Sequence, residues 1–376
     1  MQIYPRVALG SAGGYVVWQD SLADHGKFGI SARKIDDAFK VQGEAFTVNL
    51  LKAENQVQPR VGILMNGGAM FVWEGGKAGS QDVFGRVFSP EGRPVTGDFI
   101  VNTYRRGPQT APSAAILKDG NAIVAWNSSG QDRSFLGVFG RRLGANGRRL
   151  GSEFRLNQYV DLNQKSVELA ALPDGGFVAV WVSEGQRSKN SAASERIVRL
   201  DRVVFNSVDI YARLFDANGQ PRGNEFRVNT DDAVCLAPSV AVSESGFTVV
   251  WTVNNRDTDA EMMLQKRSFD FGGSATGEQG ALASAAILKG AAISSSGDRY
   301  LVCWARPGRK NITDGFFARF LDQSGAVSSE EFSLATNVIG KEMTASLAAK
   351  PHGDFFAIWP VYVPGSSFDL FGKSVR

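Results

Sequence analysis

Residues 112–157 read PSAAILKDGNAIVAWNSSGQDRSFLGVFGRRLGANGRRLGSEFRLN. An apolar run opened by Pro112 stops at the Asp119-Gly120 turn, and a second run climbs to Trp126. A polar loop follows, then a third run, GVFGRRL from Gly137, and the turn GANG at 144–147 leads into EFRLN from Glu153. Short apolar runs punctuated by Gly, Asn and Asp predict four antiparallel strands joined by tight turns.

The same unit recurs on both sides. Tryptophans stand at Trp18, Trp73, Trp126, Trp181, Trp251, Trp304 and Trp359, with spacings of 55, 53, 55, 70, 53 and 55 residues. Each ends an apolar run that follows a turn, as in GGYVVW, GGAMFVW, DGGFVAVW, ESGFTVVW, GDRYLVCW and HGDFFAIW. Upstream strands begin at Pro5, Pro59, Pro112 and Pro238, where a missing N–H suits a first residue. Third strands include DVFGRVF from Asp82, DIYARLF from Asp209 and DLFGKSV from Asp369. The turns SPEG, GANG, DANG, DFGG and DQSG put Gly92, Gly147, Gly219, Gly273 and Gly325 where a positive φ is expected. Fourth strands read DFIVN at Asp98, EFRVN at Glu225 and EFSL at Glu331.

A long repeat of four strands is the signature of a β-propeller blade, so the chain is read as one all-β domain, a seven-bladed β-propeller spanning residues 1–376. Its repeats are assigned to residues 5–57, 58–110, 111–165, 166–235, 236–289, 290–343 and 344–376. Composition agrees, since 42 glycines supply turns and 25 Phe supply core, while no 18-residue apolar run exists to span a membrane as a helix. A net charge of +3 is too slight to imply nucleic acid as a partner. Two cysteines make no disulfide framework and are read as buried thiols, and two histidines give no metal-binding pattern. No cofactor and no metal are expected.

A second position is basic in all seven repeats: Arg33, Arg86, Arg141, Arg213, Arg267, Arg319 and Lys373. Strand periodicity puts Arg86 on one face with Phe84 and Phe88, and Arg213 with Tyr211 and Phe215. Cation–π stacking within or between blades is the expectation, with a ring of equivalent ligand sites as the alternative.

These repeats resemble a tandem propeller repeat of secreted bacterial proteins, patterned G-G-F-V-V-V-W, a Gln-Asp loop, V-Y-G-Q-R-F-D-A-N-G and G-x-E-F-x-V-N-T. The third repeat carries it through GNAIVAW, Gly130-Gln131-Asp132, ANG and GSEFRLN, and the fourth through DGGFVAVW, IYARLFDANGQ and GNEFRVNT; MMLQKRSFDFGG and GEQGALAS depart from it. The resemblance covers essentially the whole chain. It implies a secreted or cell-surface location and a binding role, lectin-like or protein–protein, rather than a particular chemistry.

Closure is the anomaly. The chain reaches Arg376 within the third strand of the last repeat, so the seventh blade is expected to lack its outer strand. Three arrangements fit: an open three-stranded blade, a strand from an N-terminal segment outside this sequence, or a strand donated by a partner. Met1-Gln2-Ile3-Tyr4 has no signal-peptide character, which agrees with the second.

Function is sought where repeats differ. Propeller ligands commonly sit at the channel mouth, on the face of the loops joining strands two to three and four to one. The long spacing after Trp181 places an insertion of roughly fifteen residues on that face, with Arg187 and Lys189 in a net basic segment. His25, Arg105, Arg106, Asp231 and Asp232 project there too. On the innermost strands, Arg6, Arg60 and Glu168 occupy aligned positions that carry mostly Ser or Ala elsewhere. Arg6 and Arg60, from adjacent blades, are placed to share an anion or to be neutralised by Glu168. The leading expectation is a non-catalytic binding propeller for a glycan or protein ligand, possibly acidic in character. The alternative is a lyase or glycosidase acting on an acidic glycan, drawing on Tyr4, Tyr104, His25 and Arg60, or on Glu168, Asp231 and Asp232. No catalytic motif accompanies either set.

Overall fold

The computed structural model describes residues 1–24, 27–189, 207–254, 261–307, 315–336, 344–350 and 353–376; of Ser188 and Lys189 only the backbone is described. They form seven antiparallel sheets in chain order. Blade 1 holds β1 (Gln2–Gly10), β2 (Gly13–Asp24), β3 (Lys27–Ile35) and β4 (Val41–Thr47), and blade 2 β5 (Gln56–Ile63), β6 (Ala69–Gly75), β7 (Asp82–Phe88) and β8 (Phe99–Ile100). Blade 3 holds β9 (Gln109–Ile116), β10 (Ala122–Ser129), β11 (Leu136–Leu143) and β12 (Arg149–Arg155). In blade 4, β13 (Gln164–Ala171) and β14 (Phe177–Glu184) lead through the single-turn α1 (Gln186–Lys189) to β15 (Val208–Phe215) and β16 (Phe226–Arg227). Blade 5 holds β17 (Val234–Val242), β18 (Phe247–Asn254), β19 (Met262–Phe269) and β20 (Gly280–Ala285); blade 6 holds β21 (Lys289–Ser295), β22 (Arg299–Arg306), β23 (Gly315–Asp322) and β24 (Phe332–Thr336). Blade 7 has three strands, β25 (Ser346–Ala349), β26 (Phe355–Val363) and β27 (Ser367–Val375). The chain is a seven-bladed β-propeller whose last blade lacks a fourth strand among the described residues.

The tryptophans are core. Trp73, Trp126, Trp181, Trp251 and Trp304 are fully buried in second strands, and Trp18 and Trp359 nearly so. Burying an indole N–H without an acceptor is costly, and blades 2 and 3 supply one. Gln56 and Gln109 accept from Trp73 and Trp126 at 2.8 and 2.9 Å.

Three devices join consecutive blades. First, the repeated arginine donates through Nη1 to a carbonyl in or just after the fourth strand of the preceding blade: Arg86 to Val48 (2.6 Å), Arg141 to Val101 (3.0 Å), Arg213 to Leu156 (3.2 Å), Arg267 to Val228 (2.9 Å) and Arg319 to Leu282 (3.0 Å). Arg86, Arg213 and Arg267 also lie over Phe88, Phe215 and Phe269, 5.2 to 5.6 Å from the ring centres.

Second, a carboxylate or amide at the fourth strand clasps backbone N–H groups of the preceding linker. Asp98 holds Leu50 and Leu51, Glu153 holds Thr103 and Tyr104, Glu225 holds Gln158 and Tyr159, and Gln279 holds Thr230. The glutamines after the second strands of blades 3 and 4 steady these acids, Gln131 on Glu153 and Gln186 on Glu225, both at 2.7 Å. Third, the turn glycines meet the preceding blade. A Cβ at Gly147 (φ 79°) would strike the Phe99 ring at 2.6 Å, and one at Gly219 (φ 81°) the Phe154 ring at 2.5 Å. Only glycine satisfies both the left-handed backbone and the contact.

Two expectations shift in detail. The prolines lie inside the first strands, not at their starts. Pro5, Pro59, Pro112 and Pro238 each follow a residue of positive φ (Tyr4 51°, Gln58 52°, Ala111 50°, Ala237 50°) at a bulge where the ladder is already broken, so no hydrogen bond is forfeited. The fourth strands of blades 2 and 4 shrink to two residues each, their adjoining polar groups being taken up by the inter-blade clasps.

Candidate functional site

The bulges position the site. In blades 1 to 6 a bulge breaks the register just before a position that faces the channel, β25 of blade 7 begins at that position, and the pairing fixes all seven as one level. Arg6, Arg60, Ser113, Glu168, Ser239, Ala292 and Ser346 each pair with the residue preceding the blade's tryptophan or its equivalent: Val17, Val72, Ala125, Val180, Val250, Cys303 and Ile358. They line a central cavity of about 270 Å3 to which all seven first strands contribute. Bulges commonly re-aim side chains at sites.

Within this ring the charges are unequal. Arg60 Nη2 reaches Glu168 Oε1 at 2.6 Å across the intervening blade, and Ser113 Oγ donates to Glu168 Oε2 at 3.1 Å. Arg6 has no carboxylate partner among the described residues, and its Nη1 donates to the Pro5 carbonyl at 2.9 Å. Burial in the channel wall, then repulsion by Arg60, pushes the Arg6 guanidinium down to about 9, with Glu168 pulling the other way. It stays charged at neutral pH. Two guanidiniums face one carboxylate, leaving one positive charge uncompensated. Beside Arg6, blade 7 adds Thr344, whose Oγ1 is buried in the wall without a hydrogen-bond partner, and Ser346, which accepts from the Val7 N–H at 3.2 Å.

The rim candidates are mostly engaged with one another. Arg105 pairs with Asp82 at 2.6 Å. Arg187 pairs with Asp232 and lies 3.4 Å from Asp209, while Arg227 pairs with the same two carboxylates at 3.1 Å each. Burial pushes Asp209 up, and Asn229 with the two arginines holds it against that rise; Arg187 and Arg227 pull Asp232 down. Asp231 accepts from Gln279 at 2.6 Å. Arg106 is exposed. His25 lies outside the described residues, as does most of the insertion. The carboxylates considered for glycosidase chemistry are thus held in place by cations or amides, Glu168 in the channel and Asp231 and Asp232 on the rim. Cys235 and Cys303 are buried free thiols, Cys303 pushed up to about 12 by burial. Among the described residues no group of His, Cys, Asp and Glu could hold a metal.

A larger groove of about 580 Å3 opens between the hairpin turns of blades 1 and 2, on the opposite face. Its one cation, Lys34, donates to the Pro90 carbonyl. Convergent unpaired polar groups mark the channel instead.

No known protein family matches the sequence, and no curated protein matches it. Solved structures match the fold. The chain is similar to Kuenenia stuttgartiensis hydrazine synthase (12% identity, TM-score 0.59, covering 100% of this chain and 96% of that one). It is also similar to the polysaccharide lyase Uly1 (8%, TM-score 0.58, 98% and 88%) and to a protein of unknown function from Dyadobacter fermentans (13%, TM-score 0.57, 85% and 93%). At such identities the likeness concerns architecture alone.

Proposed function

We propose that this protein is a binding propeller whose channel takes the anionic group of an acidic ligand, with a uronate-bearing glycan as the favoured class. The observation that carries this is the uncompensated Arg6 in a ring of otherwise neutral or paired residues. A carboxylate entering the channel would gain a charge-assisted hydrogen bond from Arg6, and the Thr344 hydroxyl is a free donor in the same sector. At about 270 Å3 the cavity sits just below the usual pocket range of roughly 300 Å3 and up, so it suits one small unit rather than a long chain. The rim would then hold the remainder of the ligand. The repeat resemblance, with its implied extracellular location, supports a glycan over an intracellular anion.

Calorimetric titration with acidic oligosaccharides and neutral congeners of the same length tests this, with ultraviolet absorbance followed for unsaturated product. Saturable binding of the acidic set without product is expected. Equal binding of the neutral set, or steady release of unsaturated product, would overturn the reading.

A further inference from the structure

The repeated arginines show what one seam lacks. Each from blade 2 to blade 6 donates Nη1 to a carbonyl in or just after the fourth strand of the blade before it. Arg33 of blade 1 faces blade 7. Its Nε donates to the Gly43 carbonyl at 2.9 Å, the same own-blade contact that Arg86 makes with Thr96 and Arg213 with Gly223. The contact to the preceding blade is missing, because β27 has no strand beyond it among the described residues. An unpaired strand edge is a template for another strand.

The seam itself is sealed from within. Where other turns place glycine, blade 1 has Phe39 at φ 64°, stacked on Phe356 of blade 7 at 5.1 Å and 11°, with Lys350 Nζ 4.7 Å from the Phe39 ring centre. Phe356 lies against Gly372, as the fourth-strand Phe99 lies against Gly85 at the equivalent position in blade 2. The aromatic place of a fourth strand is therefore filled. What β27 still offers is its backbone edge, and a strand pairing there needs no phenylalanine of the repeat's own pattern.

β27 is complementary to itself. In blade 2 the Val83 N–H and C=O both point at the fourth-strand segment, bonding Asn102 and Val101. Leu370 is its equivalent, three residues before Lys373, so Phe368, Leu370, Gly372 and Ser374 turn their backbone groups to the open edge. Antiparallel pairing of two copies centred on Phe371 sets Leu370 against the partner's Gly372 and Phe368 against the partner's Ser374, all hydrogen-bonding positions on both strands. Phe371, 49% exposed, meets the partner's Phe371, and Asp369 meets the partner's Lys373. These fall at the non-hydrogen-bonded positions, where side chains approach most closely. We infer that two copies of this chain associate edge to edge through β27 in a two-fold dimer. This is independent of the channel and its ligand.

Sedimentation velocity of the 376-residue chain over a concentration series should show a species of twice the chain mass. Asp369→Lys sets lysine against the partner's Lys373 twice per dimer and should return the mass to one chain. Adding Lys373→Asp to it should restore the dimer, which a merely misfolded variant would not do. A single-chain mass at all concentrations, association unaffected by Asp369→Lys, or a double variant that stays single while retaining the wild-type circular dichroism spectrum would each overturn the inference.

Discussion

The seam between blades 2 and 3 and the seam between blades 7 and 1 solve one problem in different ways. At the first, Arg141 reaches back to the Val101 carbonyl, Glu153 clasps the linker backbone at Thr103 and Tyr104, and Gly147 admits the Phe99 ring. All three devices depend on a fourth strand in the earlier blade. At the second, blade 7 has no fourth strand among the described residues, and none of the three contacts is made there. The seam is held by an apolar cluster of Val7, Val16, Trp18 and Ile35 with Ala348, Phe356 and Ile358, by the stack of Phe39 on Phe356 with Lys350 over the Phe39 ring, and by the Val7 to Ser346 hydrogen bond. Ring closure here rests on packing, while the other seam rests on polar staples with packing added.

The contrast can be broken at either end. Phe356→Ala should have the largest effect, costing about 3–5 kcal/mol, because it removes both the Phe39 stack and a bulky member of the buried cluster that closes the ring; chemical denaturation would show it. Arg141→Met keeps the side-chain bulk but leaves the Val101 carbonyl without its donor, at about 2 kcal/mol. The same change at Arg33 should fall within about 0.5 kcal/mol at dilutions that keep the protein monomeric, since no inter-blade bond is lost. Equal losses at the two positions would remove the distinction. Phe39→Asn tolerates the left-handed backbone and removes only the ring, so a loss of about 1 kcal/mol is expected. Hydrogen exchange sharpens the same point: amides of β25 and β27 should exchange before those of β10 and β11.

The blade count was readable because each tryptophan ends a second strand and each turn carries its glycine, both local features of a repeat. The staples were not. The acceptor of Arg86 is a backbone carbonyl 38 residues away in another blade, and carbonyls leave no trace in side-chain identity. The residue pattern therefore suggested stacking on aromatic rings, which occurs, without the hydrogen bond beside it. Phe39 did leave a signal: DDAF at 36–39 stands where the other turns end in glycine. In the channel, Arg6, Arg60 and Glu168 stood out as charges at a position otherwise small, and the register places them on one level. Which arginine Glu168 would choose depended on ring geometry. It reaches two blades back to Arg60 and leaves Arg6 unpaired, something spacing along the chain does not encode.

The unpaired charge of Arg6 is where the functional account stands or falls. Titrating an oligogalacturonate into the protein and into Arg6→Gln, at low and high salt, tests it most directly. The account predicts saturable, salt-weakened binding that drops about tenfold or more in the variant, the worth of one charge-assisted hydrogen bond, with the melting temperature of the free protein no lower than before, since the buried charge repelled by Arg60 is removed. Binding of the same strength in Arg6→Gln would contradict it.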